Sequence, residues 1–320
     1  MALFKLIRRI CVVFVILSPV VSNGQDPLLN TAGTWTYNPS WYNPAINGSK
    51  DFNSINLTYA TGEDYNSLIL SGDTRLAKNT GGYYNIPDNF SYTNVGIGLH
   101  IFNRSSENLK TTGFKASGSY HLELDESSMS FLSVGISFQG SWNNITYAPD
   151  LESPDITISK QTFDPNMDLG LYYYNPSYYI GLSSTAMLEG IVQDDSIYYR
   201  HEERHYHLTG GYKFILYRPM KLLIEPSLIF SVSDTTFNNL ANRIHPMLKI
   251  YIENFCIGTY YYNKDRISIF FRYNYPRIYI GGFLAISRKS PYYKSEPSIE
   301  LSAGFNLSYN KSRQYKRFHW

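Results

Sequence analysis

The sequence predicts an all-β chain: a transmembrane antiparallel β-barrel of about 14 strands with a short N-terminal periplasmic segment. Three observations predict it. An export leader opens the chain, long segments behind it alternate apolar and polar side chains, and the connections between those segments alternate short and long.

The leader comes first. Lys5, Arg8 and Arg9 precede an apolar stretch at 10–21 that Pro19 interrupts, and the small residues Ser22 and Gly24 follow. That is the pattern of a secretory signal peptide at 1–24, with Gln25 as the expected mature N-terminus. The apolar part is too short to span a bilayer as a helix. Cys11 lies inside it and no Cys stands at the cleavage point, so a lipid anchor is not expected. Cys256 then stands alone, which excludes a disulfide within one molecule and a Cys-based zinc site.

Composition narrows the class further. Thirty tyrosines, 18 phenylalanines and four tryptophans favour strands over helices. No apolar run near 18 residues follows the leader, so membrane crossing falls to a closed barrel, which satisfies every backbone polar group between strands. The 28 Lys and Arg include the leader's three, leaving 25 against 26 Asp and Glu. A near-neutral body argues against nucleic acid as a partner. The exception is a basic tail at 311–320, with Lys311, Arg313, Lys316 and Arg317.

A transmembrane strand turns one side chain to lipid and the next to a polar lumen, so period-two alternation is the test for each element. Strands are expected near 53–60, 64–76 and 91–103. The next, 110–124, passes cleanly: Phe114, Ala116, Tyr120, Leu122 and Leu124 share one face, while Lys115, Ser117, Ser119, His121 and Glu123 share the other. In 128–142, Leu132, Val134, Ile136, Phe138 and Trp142 alternate with Ser133, Gly135, Ser137, Gln139 and Ser141. Strands near 166–175 and 177–188 complete the first half. The second half repeats the pattern at 204–217, 220–232, 241–252, 255–262, 264–274, 276–287 and 296–310. In the last, Ile299, Leu301, Ala303, Phe305 and Leu307 alternate with Glu300, Ser302, Gly304 and Asn306.

An even-stranded bacterial barrel keeps both termini in the periplasm, with tight turns there and longer loops outside. The connections at 125–127, 175–176, 217–219, 253–254 and 275–276 are tight. Those at 143–165, 189–203, 233–240 and 288–295 are the expected extracellular loops. The Gly-rich stretch 77–90 breaks the rule. Tyrosine clusters at Tyr172 to Tyr174, Tyr178 and Tyr179, and Tyr260 to Tyr262 sit at strand ends, where interfacial aromatic girdles belong. No linker divides the chain, which reads as one barrel domain at 53–310 behind a segment at 25–52.

Little in the chain points to chemistry. His205, His207, Thr209 and Lys213 share lumen parity, but two imidazoles without a third ligand do not make a zinc site. Acyl transfer needs a nucleophile, a base and an oxyanion hole, and no nucleophile elbow occurs. No phosphate loop or dinucleotide fingerprint is present; Gly96 and Gly98 fall mid-strand, where they ease curvature or packing. Arg243, Lys249, Glu253, Arg266 and Arg272 are expected in the lumen, either cross-braced or lining a lightly charged channel. The chain is therefore expected to be no enzyme and to need neither cofactor nor metal.

Several motifs carry a resemblance. Tyr37-Asn38-Pro39 and Trp41-Tyr42-Asn43-Pro44-Ala45, running on to Gly48-Ser49, follow a Gln25-Asp26-Pro27 start. Further on stand Gly170-Leu171-Tyr172-Tyr173-Tyr174, Tyr179-Ile180-Gly181-Leu182-Ser183 and His205-Tyr206-His207-Leu208-Thr209-Gly210-Gly211-Tyr212-Lys213-Phe214. In order and spacing this resembles the PorP/SprF family of Bacteroidota, over nearly the whole mature chain. The resemblance implies an outer-membrane barrel of the type IX secretion and gliding apparatus. It implies as partners a secreted surface protein or adhesin, held through its C-terminal signal domain, and periplasmic components of the machine, with outer-membrane lipid around the barrel.

On that reading Asn38, Pro39, Tyr42, Asn43, Pro44 and Ala45 of the N-terminal segment are candidate partner-binding residues on the periplasmic side. Trp142, Tyr147, Tyr198 and Tyr199 are candidate aromatic anchors for cargo on the outer loops. The alternative is a porin or specific solute channel. Whether the N-terminal segment plugs the barrel or lies under it is left open by the residues alone.

Overall fold

The computed structural model describes residues 32–50, 53–62, 65–77, 92–106, 109–125, 128–147, 158–188, 204–217, 219–233, 243–263, 266–274, 277–287 and 298–307. The leader, the tail at 311–320, and Tyr198 and Tyr199 lie outside them. Among the described residues the wall is formed by β1 (Asn53–Thr61), β2 (Tyr65–Ala77), β3 (Tyr92–Ser106), β4 (Leu109–Asp125), β5 (Ser130–Tyr147), β6 (Ile158–Tyr174) and β7 (Tyr178–Thr185). It continues with β8 (His205–Tyr212), β9 (Phe214–Tyr217), β10 (Leu222–Ser233), β11 (Ile244–Ile252), β12 (Phe255–Asn263), β13 (Arg266–Asn274), β14 (Ile278–Ser287) and β15 (Ser298–Leu307).

Each strand pairs antiparallel with its sequence neighbours, and β1 closes on β15, with Asn53 opposite Leu307. β8 and β9 are two parts of one stave, interrupted at Lys213, because both pair with β10. The 15 segments therefore make 14 staves and a closed barrel with no free edge. An even number of antiparallel staves puts the start of β1 and the end of β15 at one rim, which is the periplasmic rim of an outer-membrane barrel.

Burial is inverted relative to a water-soluble protein. In β5 the neighbours Ser137 and Phe138 are 1% and 56% exposed. Ser54, Asn56 and Thr58 are buried in β1 while Ile55, Leu57 and Tyr59 are exposed, and the same parity runs through β4 and β15. Lipid is the solvent that makes this arrangement favourable: apolar groups face hydrocarbon, and polar groups satisfy one another inside. Ile136→Arg, on the lipid face, is expected to cost about 2–4 kcal/mol if it lies near the midplane. Normal urea unfolding of that variant in vesicles would contradict the facing assignment.

The wall is taller on one side than the alternation suggests. The outer connection expected at 143–165 is largely strand: β5 and β6 remain paired from Asn143 opposite Thr162 to Tyr147 opposite Ile158. With 18 and 17 residues they exceed the roughly 9–11 that cross a bilayer. Above Trp142 the outward residues are Asn144 and Thr146, with Gln161 and Ser159 as their cross-strand partners, so the outer face of this flange is polar. Once the outward positions turn polar the lipid-face signal ends, and Pro165, opposite Gly140, adds a false stop signal.

The tyrosine clusters divide between two roles. Tyr178 stacks on Tyr212 at 6.3 Å, Tyr212 packs on Phe214 at 4.5 Å, and Tyr173 and Tyr178 share a 3.2 Å hydroxyl contact on the outer surface near the turn side. These are girdle positions. Tyr174 and Tyr260 are buried inside instead, at 3% and 1% exposure, because a cluster of adjacent tyrosines in a strand necessarily points alternately in and out. Glu253, expected in the lumen, is an exposed turn residue with φ of 51° between β11 and β12.

Candidate functional site

The lumen holds the N-terminal segment. Residues 32–50 form a short helix α1 (Ala32–Tyr37) and two single 3₁₀ turns, Pro39–Trp41 and Pro44–Ile46. The sequence explains the shape. Each turn starts at a proline whose fixed φ suits the first helical position, and the asparagine before each is held out of the helical region, with φ of −132° at Asn38 and −134° at Asn43. Asn43 Oδ1 then accepts from the Ala45 N–H at 3.0 Å, closing the second turn. Gly48, at φ 71°, ends the segment in a conformation disfavoured for side-chain-bearing residues.

The polar groups of this segment bond to the barrel wall. Asn38 Nδ2 donates to Thr58 of β1 at 2.9 Å, and its Oδ1 accepts from Ser71 of β2 at 2.6 Å. Asn43 Nδ2 donates to the Leu171 carbonyl of β6 at 3.0 Å, and Ser133 of β5 donates to the Ala45 carbonyl at 2.8 Å. Tyr37 donates to the Phe271 carbonyl of β13 at 2.9 Å. Asn47 donates to Ser117 at 2.8 Å, and its carbonyl accepts from Ser119 at 2.7 Å, with His121 Nε2 also 2.8 Å away. These contacts reach staves on opposite sides of the barrel.

Aromatic packing fills what the hydrogen bonds leave. Trp35 and Tyr42 stack at 3.7 Å, and both rings meet His207 of β8 edge-on, at 5.3 and 5.4 Å. Trp41 meets Phe102 edge-on at 5.0 Å, with Lys115 and Arg104 over its faces at 4.4 and 4.6 Å. Cations on a desolvated indole are worth about 2 kcal/mol each. Lys115, 2% exposed, also donates to the Trp41 carbonyl at 3.0 Å and pairs with Asp168 of β6 at 2.6 Å. Asp168 further accepts from Ser137 at 2.6 Å and from the Ala186 N–H at 3.1 Å, so its charge is paired and hydrogen-bonded.

Glycines on the lumen face make room for the segment. A Cβ at Gly135 would strike the backbone of Ala45, one at Gly98 the side chain of Asn47, and one at Gly170 that of Asn43. Close approach to the plug, more than curvature, is what these positions serve. Gly135→Leu is expected to leave the barrel folded while driving Ala45 off the wall. An introduced Ala45→Cys, at a site with no exposure in the native structure, should then react with maleimide many times faster, with buried Cys256 as the internal control. Equal reactivity in the two backgrounds would show that the segment is not seated there.

The six candidate residues from Asn38 to Ala45 thus sit together inside the barrel, and all except the half-buried Pro39 are buried. Trp142 is elsewhere: it faces outward, 44% exposed, against Phe163 at 5.2 Å and Phe114 at 6.2 Å, where the apolar band meets the polar flange. Tyr147 ends β5 beyond it. The sequence reading did not single out Trp35, Tyr37, Asn47, Lys115 and Asp168 as site residues. The usable signal was there in part, since Lys115, Gly135 and Gly170 all fall at lumen parity opposite a tryptophan- and asparagine-rich segment.

A cavity of about 130 Å³ remains between the segment and the wall of β6 to β11, lined on the segment side by Trp35, Thr36 and Ile46. Inside it Glu225 Oε1 accepts from Tyr179 and Lys249, both at 3.0 Å, and Oε2 accepts from Tyr251 at 3.1 Å. Among the described residues no group of three or more His, Cys, Asp or Glu is placed to hold a metal, and no helix is long and apolar enough to cross a membrane.

A closed barrel with a lipid-facing apolar band, a polar interior and an internal plug defines the class: an outer-membrane β-barrel whose lumen is occupied by its own chain. The chain belongs to the family described as type IX secretion system membrane protein PorP/SprF, which matches residues 22–311. That family is one of secretion-system membrane barrels and not of enzymes. No curated protein matches the chain. Solved structures similar to it include BamA from Haemophilus ducreyi lacking POTRA domains 1–3, at 12% identity and TM-score 0.39, covering 81% of this chain and 71% of that one. The translocator domain of the autotransporter NalP from Neisseria meningitidis gives 10% and 0.37, over 79% and 86%. The NanC porin gives 10% and 0.36, over 80% and 100%.

Proposed function

We propose that this barrel serves the type IX secretion system as a closed docking component. It holds a secreted surface protein at its outer end, through that protein's C-terminal signal domain, and meets periplasmic machinery at the rim where β1 begins and β15 ends. The observation that carries this reading is the occupied lumen: residues 32–50 bond to β1, β2, β4, β5, β6 and β13, an arrangement that favours a platform over a conduit. The solute-channel alternative requires an open path through the barrel.

The outer end offers a surface suited to the role. The β5–β6 flange rises past the exposed Trp142 and Phe163 with a polar outer face, and aromatic residues are enriched at the cores of protein interfaces. The tagged protein, purified from native outer membranes in mild detergent, is expected to retain a large secreted protein and periplasmic components in fixed proportion, identified by mass spectrometry. Recovery of the barrel alone, with steady conductance in a planar bilayer, would replace this reading with the solute channel.

A further inference from the structure

We infer that the cavity between the plug and the wall is a binding site for a small organic monocarboxylate. This does not depend on the docking role and stands or falls by itself. Its charged lining is Lys50, Lys213, Lys249 and Glu225. Lys50 lies 3.4 Å from Asp73, and Lys249 3.0 Å from Glu225. With Asp73 included, these five groups sum to one positive charge.

The carboxylate of the cavity is already engaged while a donor is not. Glu225 accepts three hydrogen bonds through its two oxygens. Trp35 lines the same cavity, is 5% exposed, and its indole N–H has no acceptor among the described residues. A buried donor without a partner is destabilising, so an occupant that accepts from it is favoured. Excess positive charge and a vacant indole donor together call for an anion with oxygen acceptors.

Size and wall chemistry select among anions. About 130 Å³ far exceeds the ~10–15 Å³ that a single water needs, yet it is too small for a drug-sized ligand. Ile46, Ile229 and Met247 give it an apolar side. An inorganic anion would leave that side unfilled, and a neutral apolar molecule would leave the Trp35 indole N–H without an acceptor. A carboxylate on a short branched chain matches both. Its oxygens would bridge Trp35 of the plug and Lys213 of the wall, fixing one against the other.

The test is isothermal titration calorimetry of the full chain in detergent micelles with 4-methylpentanoate, its neutral amide, and inorganic phosphate. Saturable binding of the carboxylate at one site per barrel is expected, with both controls at least about tenfold weaker. Lys213→Gln should weaken binding about tenfold or more, whereas Glu225→Gln should tighten it severalfold by removing the resident negative charge. A general loss of structure cannot produce shifts of opposite sign. No saturable binding, equal binding of the amide, or an unchanged affinity in Lys213→Gln would overturn the site.

Discussion

Asp168→Ala should lower the unfolding free energy of the barrel by about 3–5 kcal/mol, the usual loss when one partner of a buried ion pair is removed. The reason is the position of Lys115. Its ammonium lies in the lumen at 2% exposure, and Asp168 is its carboxylate partner at 2.6 Å. Truncation strands that charge, and it also leaves the Ser137 hydroxyl and the Ala186 N–H without their acceptor. Pairing it with Lys115→Met should recover most of the loss, because an apolar pair leaves no buried charge unpaired. The measurement is the urea midpoint in lipid vesicles followed by tryptophan emission. A midpoint unchanged in Asp168→Ala would mean that water reaches Lys115 freely and that the plug does not seal this level of the lumen.

Replacing residues 35–46 by a Gly-Ser linker of equal length should convert a blocked barrel into one that conducts ions steadily. Fourteen staves enclose a lumen wide enough for solutes once nothing fills it. The replaced residues supply the Trp35–Tyr42 stack, Trp41 with its two cations, and the Asn38 and Asn43 bonds to β1, β2 and β6. The barrel wall itself should survive, since its ladder closes through β1 and β15 without the segment. Single-channel recording in planar bilayers separates the outcomes. If the native chain already conducts as much as the replaced one, the segment is not the barrier.

Most of the wall was legible residue by residue. Ser133, Gly135, Ser137 and Gln139 against Val134, Ile136 and Phe138 set the facing of β5 without any knowledge of its neighbours, because lipid and lumen impose opposite preferences on successive side chains. The even count followed from turn chemistry, as at Asn175-Pro176, where Asn175 Oδ1 accepts from the N–H groups of Ser177 and Tyr178, each at 2.8 Å. The upper parts of β5 and β6 were not legible, since their outward residues Asn144, Thr146, Ser159 and Gln161 are polar and carry no lipid-face signal. The N-terminal motif was visible as a motif, but a segment rich in Asn, Pro and Trp reads equally well as a surface that meets a partner.

What the sequence determined alone is therefore local: strand, facing, and the order of tight and long connections, each fixed by neighbouring residues. Tertiary structure decided where the segment goes. Lumen space exists only after 14 staves close, and the groups that hold the plug are scattered from Thr58 to Phe271. Glycines at 98, 135 and 170 acquire their meaning only when Asn47, Ala45 and Asn43 stand opposite them. The pairing of Lys115 with Asp168 joins β4 to β6 across the intervening β5, a distance along the chain over which no sequence period operates.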